Sequence, residues 1–108
     1  MFNLFKKNYF VLSMSKAQQN IENDPSIVVV DVRTPEEYKS GHIPKALSIP
    51  LDRIDSVKSK IKDMDAVIYV YCMSGARSSA ACDYLSKVGY TNVTNIGGVG
   101  GWKGSLKH

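Results

Sequence analysis

Short apolar runs alternate with segments of helical periodicity along the chain. Two runs of mainly β-branched and aromatic residues, at residues 27–32 and 66–71, place apolar side chains at neighbouring positions rather than at every second one. Such strands are typical of the centre of a parallel sheet, because both faces of that sheet are covered. Shorter runs predict further strands at residues 46–49 and 92–96. The pattern therefore predicts an α/β domain with about five mostly parallel strands and helices on both faces.

The helices are predicted from their start and stop residues. Ser13 is a favourable N-cap for a first helix, which ends before Pro25 because the residue preceding a proline avoids helical backbone angles. Thr34, followed by a proline and two acidic residues, caps a short second helix that stops at Gly41. Apolar residues spaced by three and four predict a helix at residues 52–62, and a last helix spans residues 76–88.

The composition is that of a single globular domain. The chain has 108 residues, of which 44% are hydrophobic and 22% charged, a balance that excludes intrinsic disorder. No apolar stretch approaches the roughly 20 residues that cross a bilayer, and the first twelve residues lack the features of a secretory signal. We therefore expect a cytoplasmic protein without a membrane partner. An N-terminal segment, residues 1–12, would pack on or precede a domain at residues 13–108.

Charge and metal-ligand content limit the partners further. The net charge is +4, and the lysines are scattered without interleaved aromatic residues, so we expect small anions rather than nucleic acid as ligands. Two cysteines and two histidines are too few and too widely spaced for a four-ligand zinc site. No metal or other cofactor is expected.

The most informative segment is the loop at residues 72–78. Cys72 ends a buried strand, and a helix begins within a few residues of it, just after Gly75. Such a turn can direct backbone N–H groups at one point, and the helix dipole and the charge of Arg77 add to their effect. All three favour a thiolate, so Cys72 is the candidate nucleophile rather than merely a small buried side chain. Cys82, inside the last helix, is better interpreted as a core thiol than as a resolving cysteine.

Five short motifs follow one another along nearly the whole chain. They are Val30-Asp31-Val32-Arg33, Glu36-Glu37-Tyr38, Gly41-His42-Ile43-Pro44-Lys45-Ala46, the loop at residues 72–78, and Ile96-Gly97-Gly98-Val99-Gly100-Gly101-Trp102. Each motif alone is weak, but the ordered set resembles the single-domain rhodaneses, which are sulfurtransferases. The resemblance extends from about residue 13 to residue 102.

The resemblance implies a rhodanese-like fold and sulfur transfer through a persulfide on Cys72. A small anionic donor, thiosulfate-like or a persulfide, would load sulfane sulfur onto this residue, and a thiol, cyanide or a protein sulfur carrier would remove it. Arg77 would hold the anionic end of the donor. The residues implied to bind the donor and the persulfide are Met73, Ser74, Gly75, Ala76, Arg77 and Ser78. A monomer or weak dimer is expected.

Three further residues are implied as supports of the site rather than as reactants. Asp31 and Arg33 lie at the carboxyl end of their strand and would form a hydrogen-bonded scaffold, with Glu37 as an ion-pair partner of Arg33. His42 would shape its loop, the alternative being a general base.

Two other functions stay open. Cysteine phosphatases and arsenate reductases place five residues between cysteine and arginine, whereas four separate Cys72 from Arg77, which leaves a tighter loop sized for sulfur. A non-catalytic binding or sulfur-relay module would need neither side chain, and both are present. Met73 stands where active rhodaneses often carry a basic residue, which favours a less charged or a protein-borne donor.

Overall fold

The structure, a computed structural model, describes residues 8–108 and contains one sheet of five parallel strands. The strand order is β1-β5-β4-β2-β3. The strands are β1 (Phe10–Val11), β2 (Val28–Asp31), β3 (Leu47–Ser48), β4 (Ile68–Cys72) and β5 (Val93–Gly98). The helices are α1 (Met14–Asn23), α2 (Pro35–Ser40), α3 (Val57–Lys60) and α4 (Ala76–Lys87), with 3₁₀ helices at Leu51–Ser56 and Val99–Gly101. The predicted α/β architecture is confirmed.

Apolar side chains cover both faces of the two central strands. Val30 of β2 pairs with Val70 of β4, and both pack with Leu85 of α4 on one face of the sheet. Val29 and Tyr69 belong to a second core on the opposite face, where α1 lies. Because successive side chains of a strand point to opposite faces, the unbroken apolar runs fill two separate cores.

The helix termini follow the predicted signals. Ser13 Oγ accepts a hydrogen bond from the Lys16 N–H at the start of α1 (3.1 Å). Thr34 and Glu37 form a reciprocal capping box at the start of α2, in which the Glu37 carboxylate accepts the Thr34 N–H at 2.9 Å. Because α2 closely follows β2, this box fixes the Glu37 carboxylate near the carboxyl ends of the strands.

The prediction of one continuous helix at residues 52–62 is wrong. The segment forms the 3₁₀ helix Leu51–Ser56 and the single-turn α3, with a non-helical backbone at Arg53 (φ −125°, ψ 21°). The Arg53 N–H donates to the Pro50 carbonyl three residues earlier, which is the tighter 3₁₀ pattern. Ile54, Val57 and Ile61 are nevertheless buried as their spacing predicted. Burial periodicity alone did not distinguish the two kinds of helix.

The strand β1 was not predicted. Phe10 and Val11 pair with Thr94 and Asn95 of β5 at one edge of the sheet, and both side chains are largely exposed. Residues 1–7 of the predicted N-terminal segment lie outside the described residues. Between residues 8 and 108, no helix combines the length and the apolar character that a bilayer crossing requires.

Candidate active site

Cys72 is the last residue of β4, and the chain turns from it almost directly into α4. The turn requires a left-handed backbone at Gly75 (φ +100°), a conformation that residues with a side chain rarely adopt. It brings the Gly75 N–H to 2.9 Å from Cys72 Sγ. On the neighbouring strand, Gly98 pairs with Cys72, and a Cβ on Gly98 would collide with the Met73 carbonyl oxygen. A glycine here lets β5 lie directly against the loop.

The Cys72 thiol is nearly fully buried, with 1% of the residue exposed, and is surrounded by hydrogen-bond donors. Burial raises the pKa of Cys72, whereas the Ser78 hydroxyl and the backbone N–H groups of Ser78, Gly75 and Ser74 lower it. Ser78 Oγ lies 3.5 Å from Sγ. The donors outweigh burial, so the pKa of Cys72 lies below its ordinary value, in the direction that the sequence predicted.

The remaining loop residues differ in what they present. The Met73 side chain is 51% exposed, directly beside the nucleophile. Ala76 is exposed and begins α4, so it contributes to the helix N-terminus rather than a side-chain contact. Of the six residues predicted to bind a donor, those that surround Sγ are therefore Ser74, Gly75 and Ser78.

Asn95 is a residue of the site that the sequence reasoning missed. Its Oδ1 accepts the Ser78 hydroxyl at 2.7 Å and the Gly97 N–H at 3.0 Å, and its Nδ2 donates to the Gly75 carbonyl at 3.3 Å. The amide thus holds two of the three residues whose donors face Cys72. The available signal was an amide side chain inside the strand predicted at residues 92–96, where a buried polar group needs hydrogen-bond partners.

The Arg77 guanidinium binds Glu37 instead of an open anion position. Nη1 lies 2.7 Å from Oε1, and Nη2 lies 3.0 Å from Oε2. The bond to Arg77 and the Thr34 N–H hold the pKa of Glu37 at about 2, well below its ordinary value. In turn, the hydrogen bonds to Glu37 raise the pKa of Arg77, to which the Cys72 thiolate also contributes. The Arg77 guanidinium thus interacts electrostatically with Cys72, but its positive charge is already paired with the Glu37 carboxylate.

Asp31 and Arg33 form a buried ion pair, so the expected pairing of Glu37 with Arg33 is wrong. Arg33 Nη2 lies 2.7 Å from Asp31 Oδ2 and also donates to the Gly41 carbonyl at 2.7 Å. The Tyr71 hydroxyl donates to Asp31 Oδ2 at 2.8 Å and accepts the Ile43 N–H at 3.0 Å. Burial, followed by the Asp31 charge, raises the pKa of Tyr71 well above its ordinary value. The pair therefore anchors the residue that precedes Cys72, as the predicted scaffold would.

His42 contacts α2 and the C-terminal segment. Its Nδ1 lies 2.9 Å from the Tyr38 carbonyl oxygen, and its ring stacks on the Tyr38 ring at 3.6 Å. Its backbone pairs with Lys107 in an antiparallel bridge. These contacts agree with the loop-shaping role predicted for His42 rather than with that of a general base at Cys72.

Cys82 is fully buried in the core beneath α4, and burial, followed by the Cys72 charge, raises its pKa to about 12. It stays a thiol at neutral pH, as a core residue would.

A cavity of about 560 Å³ also lies beside the site, bordered by the segments that follow β2 and β3. Within the loop at residues 72–78, Arg77 is the residue that borders this cavity.

Comparison with known proteins identifies the family of this fold and site. A sulfurtransferase from Allochromatium vinosum is 45% identical over 86 residues, which are 78% of each protein. The thiosulfate sulfurtransferase PspE of Escherichia coli K12 is 38% identical over 71 residues, 65% of this chain and 68% of its own. A solved structure described as a rhodanese with anions from E. coli superposes with a TM-score of 0.71 at 33% identity, over 75% of this chain and 96% of that one. The family model of the rhodanese-like domain matches residues 13–105, and the chain therefore belongs to the rhodanese-like domain family.

Proposed function

We propose that this protein is a sulfurtransferase that carries sulfane sulfur as a persulfide on Cys72. The observation that carries the proposal is the environment of Cys72 Sγ. The atom lies at the carboxyl end of a central parallel strand, 2.9 Å from the Gly75 N–H and within reach of the Ser78 hydroxyl. The resulting fall in the pKa of Cys72 provides a thiolate nucleophile without a histidine base. The names of the relatives support the same class of reaction.

The first half-reaction loads the sulfur. The Cys72 thiolate attacks the outer sulfur of the donor, a new S–S bond forms, and the former bond of that sulfur breaks. With thiosulfate, the leaving group is sulfite and the product is the Cys72 persulfide anion. With a persulfide donor R–S–SH, the leaving thiolate takes the proton and departs as R–SH. No external oxidant or reductant is needed, because the sulfur moves at the same oxidation level.

The second half-reaction returns the free enzyme. A thiol acceptor attacks the outer sulfur of the Cys72 persulfide and leaves as a new persulfide, while cyanide leaves as thiocyanate. The N–H groups that stabilise the Cys72 thiolate would also stabilise the persulfide anion, because both place negative sulfur at the N-terminus of α4. A small thiol or a protein sulfur carrier would serve as acceptor. We place the reaction in the cytoplasm, because its first step needs Cys72 reduced.

The two alternative functions fit the site less well. A phosphatase loop would need room for phosphate and an arginine free to bind it, whereas the loop here is one residue shorter and Arg77 is paired with Glu37. A non-catalytic module would not need donors arranged around Cys72 Sγ to lower its pKa. Both observations favour transfer through a covalent intermediate.

Intact mass measurement after thiosulfate treatment tests the proposal. We expect the protein to gain about 32 Da, one sulfur atom, and to lose this mass on addition of cyanide. Cys72→Ser should abolish the gain, and the matched control Cys82→Ala should retain it. A wild-type protein that gains no sulfur from thiosulfate or from a small-molecule persulfide would refute the proposed transfer and favour the binding module.

A further inference from the structure

The loop around Cys72 presents very little free positive charge. Within residues 72–78, Arg77 is the one cationic side chain, and both of its terminal nitrogens bind Glu37, at 2.7 and 3.0 Å. Met73, which immediately follows the nucleophile, adds an exposed apolar side chain. A doubly charged donor that approaches Cys72 therefore meets a paired arginine and an apolar side chain.

The Glu37 carboxylate is held by two donors in the position that pairs Arg77. Its Oε1 accepts the Thr34 N–H at 2.9 Å as well as the Arg77 Nη1–H, so the capping box of α2 and the ion pair share one oxygen. The two partners come from different helices, 40 residues apart, and both are only partly exposed. With a pKa of about 2, Glu37 stays ionised throughout the pH range in which the thiolate reacts. Glu37 therefore keeps the charge that pairs Arg77 over this whole range.

We propose that Glu37 is a specificity-determining residue, which offsets the charge of Arg77 and thereby disfavours doubly charged sulfur donors. This inference rests on the proposed function and refines its substrate class. Thiosulfate would have to place its charged sulfonate end beside the Glu37 carboxylate in order to reach Arg77. Donors that carry no charge at that end before the transfer, such as thiosulfonates or persulfides of small thiols and proteins, avoid this repulsion on binding. Such donors are the preferred class.

A matched pair of donors separates the two cases. Methanethiosulfonate differs from thiosulfate by a methyl group in place of one charged oxygen, so it carries one negative charge instead of two. The Cys72 thiolate attacks the outer sulfur of either donor and forms the same persulfide, and the leaving groups are methanesulfinate and sulfite. The selectivity is the ratio of the two kcat/KM values for loading.

Glu37→Gln removes the charge of the carboxylate while it preserves the capping box, because glutamine also occupies that position of the motif. We expect kcat/KM for thiosulfate to rise roughly fivefold through a lower KM, which is the effect of freeing one partly exposed ion-pair partner. The value for methanethiosulfonate should change by less than about twofold. Glu22→Gln on α1, the same substitution at an exposed site away from Arg77, should leave both values unchanged.

The possible outcomes distinguish this inference from the proposed function. If neither these two donors nor a small-molecule persulfide adds sulfur to wild-type Cys72, the proposed function fails; if only the persulfide does, the preference for thiosulfonates is wrong. If both donors load wild-type protein but Glu37→Gln leaves their ratio unchanged, the specificity role is wrong while sulfur transfer stands. A fall in kcat/KM for thiosulfate would also overturn the inference, because Glu37 would then position Arg77 for the donor. The rise in kcat/KM for thiosulfate should disappear in the double variant Glu37→Gln/Arg77→Ala, because Arg77 is the group that Glu37→Gln frees.

Discussion

Replacing Ser78 by alanine tests whether its hydroxyl stabilises the Cys72 thiolate. The hydroxyl has one proton and three neighbouring acceptors: Cys72 Sγ at 3.5 Å, the Gly75 carbonyl at 3.0 Å and Asn95 Oδ1 at 2.7 Å. When Cys72 ionises, the proton gains most by turning to the sulfur, since hydrogen bonds to an ion are stronger than those to neutral acceptors. Ser78→Ala removes this donor and leaves the backbone N–H groups in place.

The other two acceptors keep partners in the variant. The Gly75 carbonyl still accepts the Ser79 N–H and the Asn95 amide, and Asn95 Oδ1 still accepts the Gly97 N–H. The loss therefore falls on the ionised form of Cys72. A hydrogen bond to a charged group contributes about 1.5 kcal/mol at the low end of its range, which suits the long contact to sulfur. Because one pKa unit corresponds to about 1.36 kcal/mol, the pKa of Cys72 should rise by about one unit in Ser78→Ala.

The rate of Cys72 alkylation by iodoacetamide, followed by mass spectrometry as a function of pH, measures this pKa. We expect the midpoint of Ser78→Ala to rise by about one unit, while the free energy of unfolding changes by less than about 1 kcal/mol because no buried group loses its last partner. Ser86→Ala, at a half-buried position of the same helix where the hydroxyl donates to the Asn8 carbonyl and not to Cys72, is the matched control. An unchanged midpoint in a folded Ser78→Ala protein would show that the hydroxyl keeps its proton on Asn95, and the proposed thiolate stabilisation by Ser78 would be refuted.

Two further predictions concern the groups that support the loop. Because the pKa of Glu37 is lowered to about 2, its ion pair stabilises the fold above the ordinary pKa near 4.5, and this stabilisation is lost as pH falls from there towards 2. Glu37→Gln should therefore lower the free energy of unfolding by about 1 kcal/mol at neutral pH. Urea unfolding at a series of pH values should also show a smaller loss of stability between pH 4.5 and 2 than in the wild type, and an equal loss would contradict the pairing. Tyr71→Phe leaves the Asp31 carboxylate without one donor and the Ile43 N–H without its acceptor, so urea unfolding should show a loss of about 2 kcal/mol. A loss below about 0.5 kcal/mol would show that the hydroxyl does not anchor β4.

The features that sequence predicted well are those that depend on local chemistry. The apolar runs of β2 and β4, the Ser13 and Thr34 caps and the turn at Gly75 are each set by neighbouring residues. The position of Cys72 at the end of a buried strand follows from them. These elements could therefore be placed before the structure was known.

The features that sequence missed depend on long-range pairing. Arg77 and Glu37 form an ion pair although they are 40 residues apart. No local feature of the sequence indicates that Glu37 binds Arg77 rather than Arg33, whose partner is the nearby Asp31. Strand β1 forms because Phe10 pairs with Thr94 of β5, more than 80 residues further along the chain. Long-range partners are chosen by the packed fold, so a single sequence leaves them undetermined.

The alternation of side chains along β4 explains how one strand serves both support and reaction. Tyr71 points into the core shared with α1, where Asp31 holds its hydroxyl, and Cys72 points to the opposite face, towards α4. The ion pair of Asp31 can therefore fix the end of β4 without placing a carboxylate beside the thiolate, which would raise the pKa of Cys72. The face that holds Cys72 is left to uncharged donors, namely backbone N–H groups and the Ser78 hydroxyl. Separation of the charged scaffold from Cys72 by the thickness of one strand keeps the Asp31 carboxylate from opposing the fall in the pKa of this buried thiol.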